Sequence, residues 1–125
     1  MGILGRFMGH ASCVDLEKLE QEFSQILVEG EAISGAYKLV RDLLVLTNRR
    51  LILVDKQGMT GRKTAYVSIP YGSVSQFSIE TAGSFDMDAE LSIWVRGRSE
   101  PIKQDFGRGS SIHEVHRILA GHVLK

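Results

Sequence analysis

Between residues 31 and 106 apolar side chains recur at every second position, interrupted by Gly, Asn, Asp or Pro at spacings of roughly ten residues. Seven segments carry this period: EAISGAYKLV, DLLVLTN, RLILVDK, KTAYVSIP, SVSQFSIET, MDAELSIWVRG and PIKQDF. Each predicts a short strand. With no helical pattern between them the joins are turns, which predicts an antiparallel barrel or sandwich. The sixth segment alternates most cleanly. Phe85, Met87, Ala89, Leu91, Ile93 and Val95 fall on one face, and Asp86, Asp88, Glu90, Ser92, Trp94 and Arg96 on the other.

The period changes at both ends. Residues 12–27, SCVDLEKLEQEFSQIL, place Leu16, Leu19, Phe23, Ile26 and Leu27 at helical spacing, with Ser12 as the expected N-cap and Gly30 as the stop. Residues 111–124 repeat the pattern with Ile112, Val115, Leu119 and Val123, and Ser111 with Glu114 predicts a capping box. The expected order is one helix, seven strands, one helix.

A chain of 125 residues suits one domain, here expected over 15–125 with an apolar segment, 1–14, ahead of it. Ile3, Leu4, Phe7 and Met8 fit one face of a helical turn, so this segment either docks on the domain or a neighbour or frays; Phe7 and Met8 are interface candidates. Arg6 and His10 interrupt any secretory apolar stretch, Arg6 stands where myristoylation wants Ser or Thr, and no apolar window reaches a membrane span. Lone Cys13 forms no internal disulfide and is expected as a small buried thiol. A cytoplasmic location is expected.

Formal net charge is +0, where phosphate-dominated binding normally leaves a basic excess, so nucleic acid is not an expected partner. The distribution is uneven. Residues 38–63 hold Lys38, Arg41, Arg49, Arg50, Lys56, Arg62 and Lys63 against Asp42 and Asp55, whereas residues 15–31 hold six acids against Lys18. That dipole suits head-to-tail self-association, or steering of an anion to one end. Lys38, Arg41, Arg49, Arg50, Arg62 and Lys63 are therefore the candidates for binding a ligand or partner. Asp86, Asp88, Glu90 and Trp94 are interface candidates, since tryptophan among carboxylates on an outward face often anchors a contact.

No catalytic set emerges: GxSxG, HExxH, a P-loop lysine motif and a Cys–His pairing are all missing from the sequence. No metal or cofactor is expected. His113 and His116 stand at i, i+3, but His122 lies about 240° round the helix from His116, so a third ligand is lacking. Asp86, Asp88 and Glu90 share a strand face at spacings of about 6.6–6.8 Å without a cation-loop pattern. Gly107–Arg108–Gly109 precedes a helix and gives only a weak anion signal.

Particular words sharpen the fold. LTNRRLILVDKQG (46–58), SIPYGSVSQFSIETAGSFDMDAEL (68–91) and IWVRG (93–97) resemble, in order and spacing, the small bacterial pleckstrin-homology (PH) domain family, over roughly residues 15–124. The resemblance implies a mainly β, PH-like bent seven-stranded antiparallel barrel with a C-terminal capping helix, plus an extra N-terminal helix. It also implies a non-catalytic binding or scaffold module that forms a homo-oligomer, ring-shaped in that family; the uneven charge, Trp94 and the apolar N-terminal segment add the expectation of a protein or peptide partner. The alternative is a peripheral module using the basic 38–63 region on anionic membrane lipid. The phosphoinositide pattern of the wider superfold is incomplete here, because its last basic position is Leu51. In LTNRRLILVDKQG, Thr47 and Asn48 supply turn chemistry, and adjacent Arg49 and Arg50 point to opposite faces once the strand begins.

Overall fold

Leu51, Ile52, Leu53 and Val54 are all buried although alternate strand residues point to opposite faces. Their strand is therefore covered on both sides. The structure, a computed structural model, describes residues 16–39, 42–57, 63–81, 88–107 and 111–125. Helix α1 (Leu16–Phe23) is followed by β1 (Ile33–Lys38), β2 (Leu43–Thr47), β3 (Arg50–Gln57) and β4 (Lys63–Pro70). A 3-10 turn (Tyr71–Ser73) leads to β5 (Val74–Thr81), β6 (Ala89–Val95), β7 (Ile102–Phe106) and helix α2 (Ile112–Val123).

Strands β1-β2-β3-β4 form one antiparallel sheet and β5-β6-β7 a second. The expected element order holds, but hydrogen bonds do not join the two sheets into a closed barrel. Pro70 is the residue before the 3-10 turn, and its fixed φ and missing N–H end β4's ladder there.

Two apolar clusters fill the layers. Between the sheets lie Tyr37, Leu44, Leu46, Leu51, Leu53, Leu91, Ile93 and Phe106, closed off by Ile112, Val115 and Leu119 of α2. On the outer face of the first sheet, Leu19 and Phe23 of α1 cover Ile33, Ala36, Val45, Ile52 and Val54. Runs such as LLVL and LILV are what a doubly covered strand requires.

α1 ends at Phe23, short of the expected Leu27, and residues 12–15 lie outside the described residues. The Ile26 and Leu27 amides both donate to the Phe23 carbonyl at 2.9 Å, a turn that still lays both side chains on the outer cluster. The Ser111 half of the expected capping box is missing at α2: Ser111 precedes the helix without a side-chain cap bond. Glu114 faces the buried Tyr37 hydroxyl; burial and the Glu114 charge raise that phenol well above the ordinary tyrosine range.

One polar clasp fastens the α1–β1 connection to the β2–β3 turn. The Arg50 guanidinium donates from Nε to Glu31 Oε2 at 2.8 Å and from Nη2 to Oε1 at 3.0 Å. Nη2 also donates to the Ile26 carbonyl and Nη1 to the Ser68 hydroxyl, each at 2.8 Å. The fully buried Glu31 carboxylate further accepts from Thr47 Oγ1 at 2.7 Å and the Val28 N–H at 3.0 Å. Asn48 completes the join, accepting from Ala32 N–H at 2.8 Å and donating Nδ2–H to the Gly30 carbonyl at 3.1 Å. Gly30 has φ +83°, a turn that β-carbon-bearing residues adopt only under strain, and it delivers Glu31 inward. Burial opposes ionisation of Glu31. The hydrogen bonds from Arg50, Val28 and Thr47 and the Arg50 charge outweigh it, holding the group down at about 2 against an ordinary 4.5.

Two predictions follow from packing and from this clasp. A β-carbon at Gly35 would meet the buried Tyr37 ring, 2.6 Å from the hydroxyl and 2.7 Å from Cε2. Gly35→Ala should therefore destabilise the domain by about 1–3 kcal/mol in urea titration, while Gly72→Ala, with open space around it, leaves the midpoint unchanged. Equal midpoints for the two variants would refute the packing argument. Because Glu31 is depressed in the folded state, its stabilisation is complete above the unfolded value of 4.5 and disappears as pH falls toward 2. The shift corresponds to about 3 kcal/mol. Glu31→Gln should be far less stable than the parent at pH 7, with the gap narrowing between pH 5 and pH 2; a constant gap would contradict the clasp.

Candidate functional site

Among the described residues the second sheet, unlike the first, has an apolar cluster on its inner face only; of its outward positions Glu80, Lys103 and Asp105 are exposed, Glu90 and Trp94 half-buried and Ser92 buried. Inner positions Ala89, Leu91 and Ile93 are buried, and register carries the alternate residues outward in cross-strand rows. Glu80 of β5 pairs with Glu90 of β6, which pairs with Asp105 of β7. The next row is Ser78, Ser92 and Lys103, and the following one sets Gln76 beside Trp94. Directly opposed side chains on one face lie about 4.5–5.5 Å apart at their β-carbons, where like charges repel. Three carboxylates in one row therefore cost the isolated domain stability, and Lys103 is the nearest cation on the three strands. Exposed Asp88 extends the acidic character at the start of β6. Trp94 is half-buried, with Ser75 donating to its carbonyl at 3.2 Å, so its ring forms part of this face rather than of the core.

Of the interface candidates, Asp88, Glu90 and Trp94 come together here, whereas Phe7, Met8 and Asp86 lie outside the described residues. Glu80 and Asp105 belong to the face and were missed. Each is an ordinary polar strand residue, and only the pairing register brings them beside Glu90.

The basic candidates do not form one site. Lys38 ends β1 and Lys63 begins β4, so both exposed side chains stand at the sheet end that holds the β1–β2 and β3–β4 turns. Arg41 and Arg62, in those turns, lie outside the described residues. Arg49 is exposed at the opposite end, in the β2–β3 turn. Arg50, in the same turn region, has four of its five N–H donors engaged in the clasp.

Other titratable groups serve packing. Tyr66 donates to Glu22 at 2.5 Å and is pushed up to about 12 by that bond, with burial and the Glu22 charge adding. His122 stacks on Tyr71 with ring centres 4.5 Å apart, and burial, with Lys125 nearby, holds it below the ordinary histidine range. His116 lies against Phe77 at 5.2 Å and His113 is exposed. Among the described residues no three His, Cys, Asp or Glu groups are arranged to hold a metal ion, and no helix is long and apolar enough to cross a membrane. Cys13 and most of the 107–109 turn lie outside the described residues.

Known proteins share this architecture. The crystal structure of a pleckstrin homology domain from Shewanella amazonensis is 49% identical, with TM-score 0.81, covering 98% of each chain. A DUF1696 family protein with a pleckstrin-homology domain from Shewanella loihica is 42% identical with TM-score 0.78, over 88% of this chain and 94% of that one. The uncharacterized Bacillus subtilis protein YjqA is 49% identical over 121 residues, 96% of this chain and 97% of the relative. A second uncharacterized B. subtilis protein, YozO, is 36% identical over 109 residues, 87% and 90% of the two chains. Residues 2–123 match the bacterial PH domain model, and this chain belongs to that family.

Proposed function

We propose that this chain is a non-catalytic PH scaffold that assembles head to tail into a homo-oligomer and engages a protein or peptide partner. The observation that carries the reading is the acidic row Glu80–Glu90–Asp105 on the outer face of the second sheet, with Trp94 two rows further along β6. Opposed carboxylates are costly alone and become favourable against a cationic surface. A second copy supplies one: the turn end of its first sheet, where Lys38 and Lys63 are exposed. Two different patches meeting make a heterologous contact, which closes into a ring when its rotation permits. Trp94, on the same face two rows along β6, provides the apolar anchor.

The test is light scattering and native mass measurement across protein concentration and salt. The parent is expected as an oligomer at low salt that dissociates as salt rises, since exposed charge pairs are screened. Glu90→Lys and Lys63→Glu should each give monomer, and the double variant should recover the oligomer. A parent that stays monomeric at every concentration and salt level, or a double variant no better than either single one, would sink the proposal.

A further inference from the structure

The two sheets have four edge strands among the described residues, and three of them carry features that discourage pairing. β1 has a register shift between Ile33 and Gly35 and ends in Lys38. β5 has a shift between Val74 and Gln76 and carries Glu80. β7 follows Pro101 and carries Lys103 and Asp105. β4 is different. It pairs with β3 over its whole length without a shift, and from Thr64 to Ile69 (TAYVSI) it has neither charge nor proline. Natural sheets protect edges with charges, bulges and prolines, and an uncharged β-branched and aromatic edge is a template for another strand. Among the described residues only β3 pairs with it, while α1 meets its outer face through Tyr66, which packs edge-on against Phe23.

The backbone groups facing outward can be named. The Arg50 N–H donates to Thr47 Oγ1 at 2.9 Å, so the Arg50 peptide groups turn toward β2 and away from its β4 partner, Pro70. Pro70 has no N–H to offer β3, in agreement. Alternation along an unshifted antiparallel ladder then turns the N–H and C=O of Thr64, Tyr66 and Ser68 outward, while Ala65, Val67 and Ile69 bond to β3. None of the three outward residues has a backbone partner beyond β3 among the described residues.

The flanking side chains state what would fit. On the outer face Tyr66 stands beside Glu22 of α1, whose exposed surface also carries Glu17 and Glu20. On the inner face Val67 is 40% exposed, an apolar surface left open where the barrel does not close. We infer that the free edge of β4 is a strand-addition site for an extended peptide alternating basic and apolar residues. The basic side chains lie toward Glu22 and the apolar ones toward Val67, with main-chain bonds to Thr64, Tyr66 and Ser68. The inference rests on reading the domain as a binding module, but it uses a surface separate from the acidic face.

The probe is the blocked peptide Lys-Val-Lys-Val-Lys-Val-Lys, followed by fluorescence anisotropy and amide hydrogen exchange. Exchange at Thr64, Tyr66 and Ser68 is expected to slow about tenfold or more, while Ala65, Val67 and Ile69 change little. Thr64→Pro removes an outward donor without touching the β3 ladder or the Arg50 clasp and should weaken binding about tenfold or more. A peptide N-methylated at alternate residues, and one with Glu for Lys, should bind correspondingly weakly to the unaltered protein. The same measurements on Glu90→Lys separate loss of self-assembly from loss of peptide binding; the peptide should bind that variant undiminished. Protection centred on Glu80, Glu90 and Asp105, equal binding of the N-methylated or acidic peptide, or concentration-dependent protection of the three amides without peptide would overturn the inference. The last result would make a second copy the occupant.

Discussion

The contact on which the architecture turns is the pair between Glu31 and Arg50. A buried ion pair is a poor source of net stability, since desolvation consumes much of the attraction, but its geometry is demanding. Here it defines one position for four segments at once: the end of α1 through Ile26, the α1–β1 connection through Glu31, the β2–β3 turn through Thr47, and β4 through Ser68. The chain of contacts continues across the molecule. The Tyr71 hydroxyl donates to the Thr47 carbonyl at 2.7 Å, and the Tyr71 ring carries His122 of α2 stacked upon it. Both terminal helices are thereby referred to Thr47.

Seating α1 gives the two sheets different surfaces. The first sheet has apolar cover on each face of its central strands, and Leu44–Thr47 and Leu51–Val54 are all buried. Recognition is left to its turns and to its free edge. Among the described residues the second sheet has an apolar cluster on one side only, and its outward positions carry charge and an indole ring. Sequence pattern and role correspond: continuous apolar runs mark the doubly covered strands, and in AELSIWV the polar residues Glu90 and Ser92 alternate with buried Ala89, Leu91 and Ile93.

Strand order and the faces of β6 were legible because period two and turn residues are local signals. The clasp was not, because Glu31 and Arg50 are 19 residues apart and only the β1–β2 and β2–β3 pairings bring them together. LTNRRLILVDKQG shows the limit well. Its turn chemistry could be read, yet nothing local distinguishes an arginine bound to a carboxylate from one facing solvent. The side-chain cap expected of Ser111 is missing, and Glu114 faces a buried phenol on β1 that no local signal announces. The acidic row was half visible, with Glu90 identified through its own strand and Glu80 and Asp105 dependent on register. Failure of the barrel to close had no sequence signal beyond Pro70.

Adjacent Arg49 and Arg50 end in different environments, and this bears on what the fold can recognise. Had both faced solvent at one turn, they would have made a two-armed anion grip. With Arg50 enclosed, the turn keeps one exposed cation, and the remaining described lysines of the basic stretch lie at the far end of the sheet. Dispersed single cations favour an extended partner surface over a compact multivalent headgroup, which needs convergent donors. Zero net charge supports the same view. A domain with balanced totals and separated signs repels its copies weakly at long range and attracts them in one relative orientation. Orientation-specific attraction without net repulsion is the electrostatic condition on which the proposed head-to-tail assembly rests, with Arg50 withdrawn into the clasp on one sheet and Glu80, Glu90 and Asp105 in one row on the other.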